Sequence, residues 1–175
     1  GEVPRRLYPS GGKYAIANGL NHVTAVALHN SSSLADTVYG GDMQGNIWRF
    51  DLRGGDPTAW NVSLSGTPLF TAMRSAVAQP ITGAIQTSAG PGGGVSLFFG
   101  TGRYFTADDN AVTRNSPVQT LYGIWDNLSD AISSRDVLVG QSISANGAAF
   151  RDISSNAVDY STKRGWYVDL IVDTT

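Results

Sequence analysis

Hydrophobic and polar positions in this chain fall into short runs of four to eight residues broken by Gly, Pro, Asn and Asp, the spacing of strands and turns. The clearest unit is 37–52 (TVYGGDMQGNIWRFDL). Thr37 to Tyr39 read as a strand, Gly40-Gly41-Asp42 as turn chemistry, and Ile47, Trp48 and Phe50 as the return strand. Alternation there places Trp48, Phe50 and Leu52 on an apolar face, with Ile47, Arg49 and Asp51 on a largely charged one, which predicts a half-buried strand. Further strands are predicted at 23–28, a buried run, and at 60–64, 80–87, 95–100, 118–126 and 166–172. Gly123 marks a bulge inside its strand. Residues 130–139 predict a short helix with Asp130 as N-cap, or alternatively a strand over 137–143. The loops are 29–36, 53–57, 88–94 and 106–117, and 144–163 is weakly patterned.

Three segments echo one another, TVYGGDMQGNIWRFDL, VSLFFGTGRYF and TLYGIWD, each joining an apolar strand to a Gly-centred turn and then to aromatics. A loose repeat of this kind predicts an all-β fold, part of a β-propeller with about two to three blades of antiparallel sheet, as a segment of a larger propeller. Residues 1–175 form a single segment, with 1–19 an irregular lead-in and 20–175 the blades.

Composition supports this reading. Of 175 residues 41% are hydrophobic but only 15% charged, and 21 are Gly, a turn-rich balance whose surface is hydroxyl and amide rather than ionic. Twelve basic against fourteen acidic side chains leave a net charge of −2, which draws the chain to neither nucleic acid nor anionic lipid. With no cysteine, disulfides and thiolate metal sites are excluded. No apolar run reaches a spanning length. Gly1 to Arg6 lack an initiator Met and an apolar core, so the chain reads as a piece of a longer protein.

Chemistry is sparse. There is no Gly-x-Ser-x-Gly elbow and no His-Glu-x-x-His, and the carboxylates are scattered, so no catalytic residue is nominated. Gly100-Thr101-Gly102 lacks the Lys-Ser/Thr of a phosphate loop and reads as a strand-ending turn. Arg53-Gly54-Gly55-Asp56 is one Gly too long for an Arg-Gly-Asp motif. Asp42 reads as a turn cap, Asp108-Asp109-Asn110 as a solvated loop, and His22 and His29 as lacking a third metal partner. Trp48 and Trp166 belong to core packing; Trp60, at a strand start, is the candidate for contact with a partner.

Several motifs in order resemble the C-terminal β-propeller of the PilY1/PilC proteins, tip-associated adhesins and biogenesis factors of bacterial type IV pili. They are Tyr39-Gly40-Gly41-Asp42 through Trp48-Arg49-Phe50-Asp51-Leu52, Thr67-Pro68-Leu69-Phe70, Gln79-Pro80-Ile81-Thr82, Phe99-Gly100-Thr101-Gly102-Arg103-Tyr104, Gln119-Thr120 with Leu121-Tyr122-Gly123-Ile124-Trp125-Asp126, and Gly165-Trp166-Tyr167-Val168-Asp169-Leu170. The resemblance spans residues 23–170. It implies a non-enzymatic binding module of an exported, much longer protein at the cell surface, pilus tip or outer membrane. It also implies pilus components and a host or abiotic surface as partners, and roles in pilus biogenesis, adhesion and twitching motility. Membrane insertion by this segment is not expected.

The resemblance further implies a calcium loop before the hairpin. Counted back from Tyr39, its ligand positions fall on Leu28, Asn30, Ser32, the carbonyl of Leu34, and Asp36. Leu28 offers no side-chain oxygen and Ser32 replaces a carboxylate, leaving Asp36 the one charge, far short of what a calcium ion with about six to eight oxygens needs. Asn30, Ser32 and Asp36 therefore stand as a degenerate set, and no cofactor is expected. Two alternative classes stand beside this reading: a quinoprotein-like dehydrogenase propeller, whose repeats share this style of hairpin but whose Cys pair is missing here, and a carbohydrate-binding propeller.

Overall fold

A computed structural model describes residues 18–29, 34–54, 56–113 and 116–173. Its strands are β1 Leu20–Val26, β2 Thr37–Asp42, β3 Asn46–Asp51, β4 Asn61–Val62, β5 Phe70–Thr71, β6 Met73–Arg74, β7 Val77–Ala78, β8 Gln86–Ala89, β9 Val95–Gly100, β10 Thr120–Asp126, β11 Val139–Asn146, β12 Phe150–Ile153 and β13 Gly165–Asp173. Only short 3-10 turns interrupt them. The strands form a five-stranded sheet in the order β1-β2-β3-β4 with β5 also on β3, a six-stranded sheet in the order β12-β11-β13-β10-β9-β8, and the small hairpin β6-β7. Within the larger sheet β8-β9-β10-β13 is a four-stranded antiparallel unit, the size of one propeller blade. The fold is all-β, as the repeats predict.

The two sheets face each other across one core. Tyr39 and Ile47 from the smaller sheet meet Val95, Leu97, Phe99, Tyr122 and Ile124 from the larger, with Leu69, Phe70, Ile81 and Ile85 between them. Phe99 and Tyr122 stack with centroids 5.2 Å apart, and Phe70 meets Tyr122 edge-on at 5.4 Å, the offset and T-shaped arrangements that ring quadrupoles favour.

The structure corrects several strand-level expectations. The run at 23–28 is no buried strand: β1 pairs only with β2 among the described residues, and as an edge strand it leaves Leu20 and Val23 exposed. Residues 130–139 form no helix from Asp130. A single 3-10 turn, Arg135–Val137, is capped by Ser134, and β11 follows, because the Ile132 and Arg164 amides bond to Leu69 and Val137 and hold the segment across its neighbours. The predicted strand at 60–64 shrinks to β4, and that at 80–87 to a bridge at Ile81 followed by β8, which runs on into the expected loop. Strand β12 lies in the weakly patterned stretch, and β11 pairs with β13 in parallel where only antiparallel pairing was expected.

Gly123 is no bulge; its register runs straight to Phe98 on one side and Trp166 on the other. The glycine is there for space, since a Cβ would sit 2.5 Å from the Trp166 ring. The turn of the β2–β3 hairpin falls at 43–45, and Gly45 adopts φ +80° with backbone carbonyls of Ala72 and Gln79 less than 3 Å from where a Cβ would lie.

Candidate functional site

Strand β3 is buried on both faces, unlike the half-buried strand its alternation predicts. The face carrying Arg49 points into the space between the sheets, where Asp126 closes β10. Arg49 Nη1 donates to both carboxylate oxygens, at 2.7 and 2.8 Å, and Tyr39 Oη donates to Asp126 Oδ2 at 2.8 Å. The Leu128 amide donates to Asp126 Oδ1 at 2.8 Å and its carbonyl accepts from Arg49 Nη2 at 3.3 Å. Leu128 is held at φ +67°, a strained region for a side chain with a Cβ, so the ion pair also fixes a turn that would otherwise relax. Burial, then the adjacent Asp126 charge, raise the Tyr39 phenol above its ordinary pKa, so Tyr39 stays a donor. This junction escapes motif reading. Its one sequence signal is an Arg inside β3 and an Asp that closes the largely apolar β10.

A second junction gathers around Asp169. Its carboxylate accepts from Thr120 Oγ1 at 2.6 Å, Arg135 Nη2 at 2.6 Å and Arg74 Nε at 3.0 Å. Thr120 in turn accepts from Gln79 Nε2 at 2.8 Å, and Gln79 Oε1 accepts from Tyr122 Oη at 2.8 Å, so the network reaches the core. Burial opposes ionisation of Asp169, but Thr120, Arg135 and Arg74 outweigh it and hold its pKa below the usual carboxylate value. The Arg135 guanidinium lies 3.6 Å from the Tyr167 ring centroid, a cation–π contact that covers its apolar face.

Asp42 is a turn hub, as a capping role predicts. It accepts from the Gln44 and Asn46 amides at 2.8 and 2.9 Å, from Asn46 Nδ2 at 2.9 Å, from Asn18 Nδ2 at 3.0 Å and from Trp48 Nε1 at 2.7 Å. Five donors fill the lone pairs of one buried carboxylate. Trp48 is thereby fixed in the interior, and Trp166 is partly buried against Gly123.

Of the calcium-loop positions, Asn30 and Ser32 lie outside the described residues. Asp36 is buried, with Oδ1 accepting from the Leu28 amide and Thr37 Oγ1 at 3.0 Å each and Oδ2 accepting from the His29 amide at 2.7 Å. Burial works against its charge, yet these donors and the His29 ring hold the carboxyl down at about 2. A carboxylate saturated by N–H and O–H donors does not fit a calcium ligand. Among the described residues no three His, Asp or Glu side chains gather as a metal site. Asp109 caps its own turn through the Phe105 and Thr106 amides and pairs with Arg103, while Asp108 and Asn110 stand exposed beside it. Among the described residues the His29 ring hydrogen-bonds to Asp36, and the His22 ring to the Thr82 carbonyl. Trp60 is half-buried, and its indole Nε1 is enclosed with no hydrogen-bond partner among the described residues.

No described helix is long and apolar enough to cross a membrane. The family model described as the PilY1 beta-propeller domain matches residues 1–143. A type IV pilus biogenesis factor PilY1 homolog from Xylella fastidiosa is 39% identical over 89% of this chain and 11% of its own length. The type IV pilus biogenesis factor PilY1 of Pseudomonas aeruginosa strain PAO1 is 35% identical over all of this chain and 18% of its own length. The crystal structure of the P. aeruginosa PilY1 C-terminal domain superposes with a TM-score of 0.80 and 31% identity, covering 94% of this chain and 42% of that one. The chain thus spans between about a tenth and a fifth of these curated relatives.

Proposed function

The chain belongs to the PilY1 β-propeller family, and we propose that it is a non-enzymatic binding module of an exported type IV pilus biogenesis factor. In this reading it supports pilus assembly, surface adhesion and twitching motility, at the cell surface, pilus tip or outer membrane. Pilus components and a host or abiotic surface are its partners. The observation carrying the non-enzymatic part is the fate of the buried carboxylates: Asp36, Asp42 and Asp126 are each saturated by protein donors. A general acid or base needs a lone pair or proton free for substrate, and these have none.

The experiment is complementation. In a piliated bacterium lacking its own PilY1-family factor, the complete protein restores surface pili and twitching zones, and the same protein without residues 20–173 does not. Equal restoration by the deleted form overturns the proposal. A spectral change on adding pyrroloquinoline quinone favours the dehydrogenase class instead, and selective hits on a glycan array favour the carbohydrate-binding class. For calcium we propose no binding in this loop: calorimetric titration gives no heat, and Asp36→Ala changes nothing in that titration. Trp60 remains the proposed partner contact on the five-stranded sheet, tested by the loss of pilus-component binding in Trp60→Ala.

A further inference from the structure

An asparagine that precedes a glycine can react with its own backbone, because a residue with no Cβ lets its amide nitrogen approach the preceding side chain unobstructed. The chain has two such sites in the same local sequence, Ala17-Asn18-Gly19 and Ala145-Asn146-Gly147. Both asparagines are exposed, and a Cβ on either glycine would meet nothing within 4 Å. Both also tie Nδ2 to a carboxylate: Asn18 donates to Asp42 Oδ2 at 3.0 Å and Asn146 to Asp152 Oδ2 at 2.8 Å. Neither crowding nor the carboxylate therefore separates them. The other end of the amide does. The Gly19 N–H donates to Asn18 Oδ1 at 3.0 Å, so the side-chain carbonyl is folded back against the nitrogen that follows it. Among the described residues no such bond joins Gly147 to Asn146, which closes β11 as a strand residue and reaches across to β12 instead.

We propose that Asn18 is a self-modification site, where deamidation in the folded protein unfastens the start of β1 from the Asp42 hub. The Gly19 amide nitrogen bonds to Asn18 Cγ as the Cγ–Nδ2 bond breaks, and the Gly19 proton leaves with Nδ2 as ammonia. Water then opens the five-membered imide at one of its two carbonyls. The product is an aspartate at this position, or its isomer with the chain routed through the side-chain carbon. The fold supplies proximity, since it holds nucleophile and electrophile side by side. The consequence lies in the hub. Asn18 is one of five donors to Asp42 and the one that comes from outside the β2–β3 hairpin. Deamidation replaces it with a second carboxylate, which turns an attraction into a repulsion between like charges. Directly beside it lie the Leu20–Asp42 pair and the Met43 amide, which donates to the Gly19 carbonyl at 3.2 Å. The isomer also adds a backbone carbon where β1 begins, which shifts that pairing.

The test incubates the complete protein at mildly alkaline pH in water enriched in heavy oxygen, folded and in urea, and follows both peptides by mass spectrometry. In the folded protein Asn18 is expected to take up label at least about fivefold faster than Asn146, and in urea the two rates converge. Equal rates in the folded protein, or a faster Asn146, overturn the proposal. A ratio that survives unfolding also overturns it, because it assigns the difference to sequence and not to the fold. Asn18→Asp tests the consequence apart from the chemistry. Hydrogen exchange at the Met43 amide is expected to quicken at least about fivefold in Asn18→Asp and to stay unchanged in Asn146→Asp. An unchanged Met43 rate in Asn18→Asp overturns the release of β1.

Discussion

Two arginines four residues apart, Arg49 on β3 and Arg53 just after it, each pair with an aspartate, and the two pairs do opposite things. Arg49 and Asp126 are 10% and 0% exposed and bridge the two sheets. Arg53 and Asp51 are 56% and 20% exposed and bridge nothing but their own turn, although Arg53 donates through both Nε and Nη2. The chemistry of the contact is the same. What differs is the cost of leaving a charge behind when its partner goes: large where water is excluded, small where water takes the partner's place. The inner pair therefore acts as a lock on sheet registry, and the outer one as a turn ornament.

Breaking the inner pair tests this most severely. Asp126→Ala strands Arg49 between the sheets and orphans the Tyr39 hydroxyl and the Leu128 amide, so it is expected to cost about 3–5 kcal/mol in urea unfolding, enough to approach the whole stability of a small domain. Replacing both charges, as in Arg49→Met with Asp126→Leu, sharpens the contrast: it removes the desolvation penalty along with the attraction and costs far less than Asp126→Ala alone. A double variant as unstable as the single one refutes the lock as an electrostatic device.

Asp42 is the next test, because it resembles the inner pair in burial but has only neutral donors. Asp42→Ala leaves the Asn46 amide and the Trp48 indole N–H without their acceptor, at about 2–3 kcal/mol. The change appears in thermal unfolding and as a blue-to-red shift in Trp48 fluorescence as water enters. A loss below about 0.5 kcal/mol means that water replaces the carboxylate, and that the hub is a turn cap of ordinary strength.

How far these sites are legible in the sequence follows from the same contrast. The Asp42 hub is local: acceptor and donors lie within six residues, apart from Asn18, and turn chemistry alone finds it. The hairpin, β9, β10 and β13 are legible for a similar reason, since each carries its period in its own residues. The Arg49–Asp126 lock spans 77 residues and the Arg74–Asp169 contact 95, and no window of sequence contains both ends. Alternation places Arg49 opposite Trp48 correctly; it fails to see that a second sheet covers that side. Gly123 fails the same way, because its reason is a tryptophan 43 positions on, across the sheet. The parallel β11–β13 pair is likewise set by a long connection and not by any local pattern.

Asp169 is held by arginines whose exposure, 38% for Arg74 and 17% for Arg135, lies between that of Arg53 and Arg49, and pH separates its contribution. Its folded pKa is held below the unfolded one, so the stability it supplies is fully present above the ordinary carboxylate range and is lost as pH falls through and below about 4. Asp169→Asn is expected to remove about 1–3 kcal/mol at pH 7 by weakening its bonds to Thr120, Arg135 and Arg74, and to flatten the acid limb of the stability curve. Some acid sensitivity persists through Asp36, held near 2. A variant curve parallel to the wild type between pH 5 and 2 rules Asp169 out as a titrating contributor.

Arg53→Ala is the smallest expected effect and the one that completes the contrast. The bond to Arg53 lowers the Asp51 pKa, so an electrostatic interaction is present. Both groups remain reachable by water, however, and the guanidinium gives up side-chain entropy to hold its place. The net loss should fall below about 1 kcal/mol and shrink further in 1 M salt, where the screening length is about 3 Å. The Asp126→Ala penalty should depend less on salt, because Asp126 is fully buried and Arg49 nearly so. If Arg53→Ala instead costs as much as Asp126→Ala and resists salt, exposure is not what separates the two pairs, and the turn at 51–54 is a second structural lock.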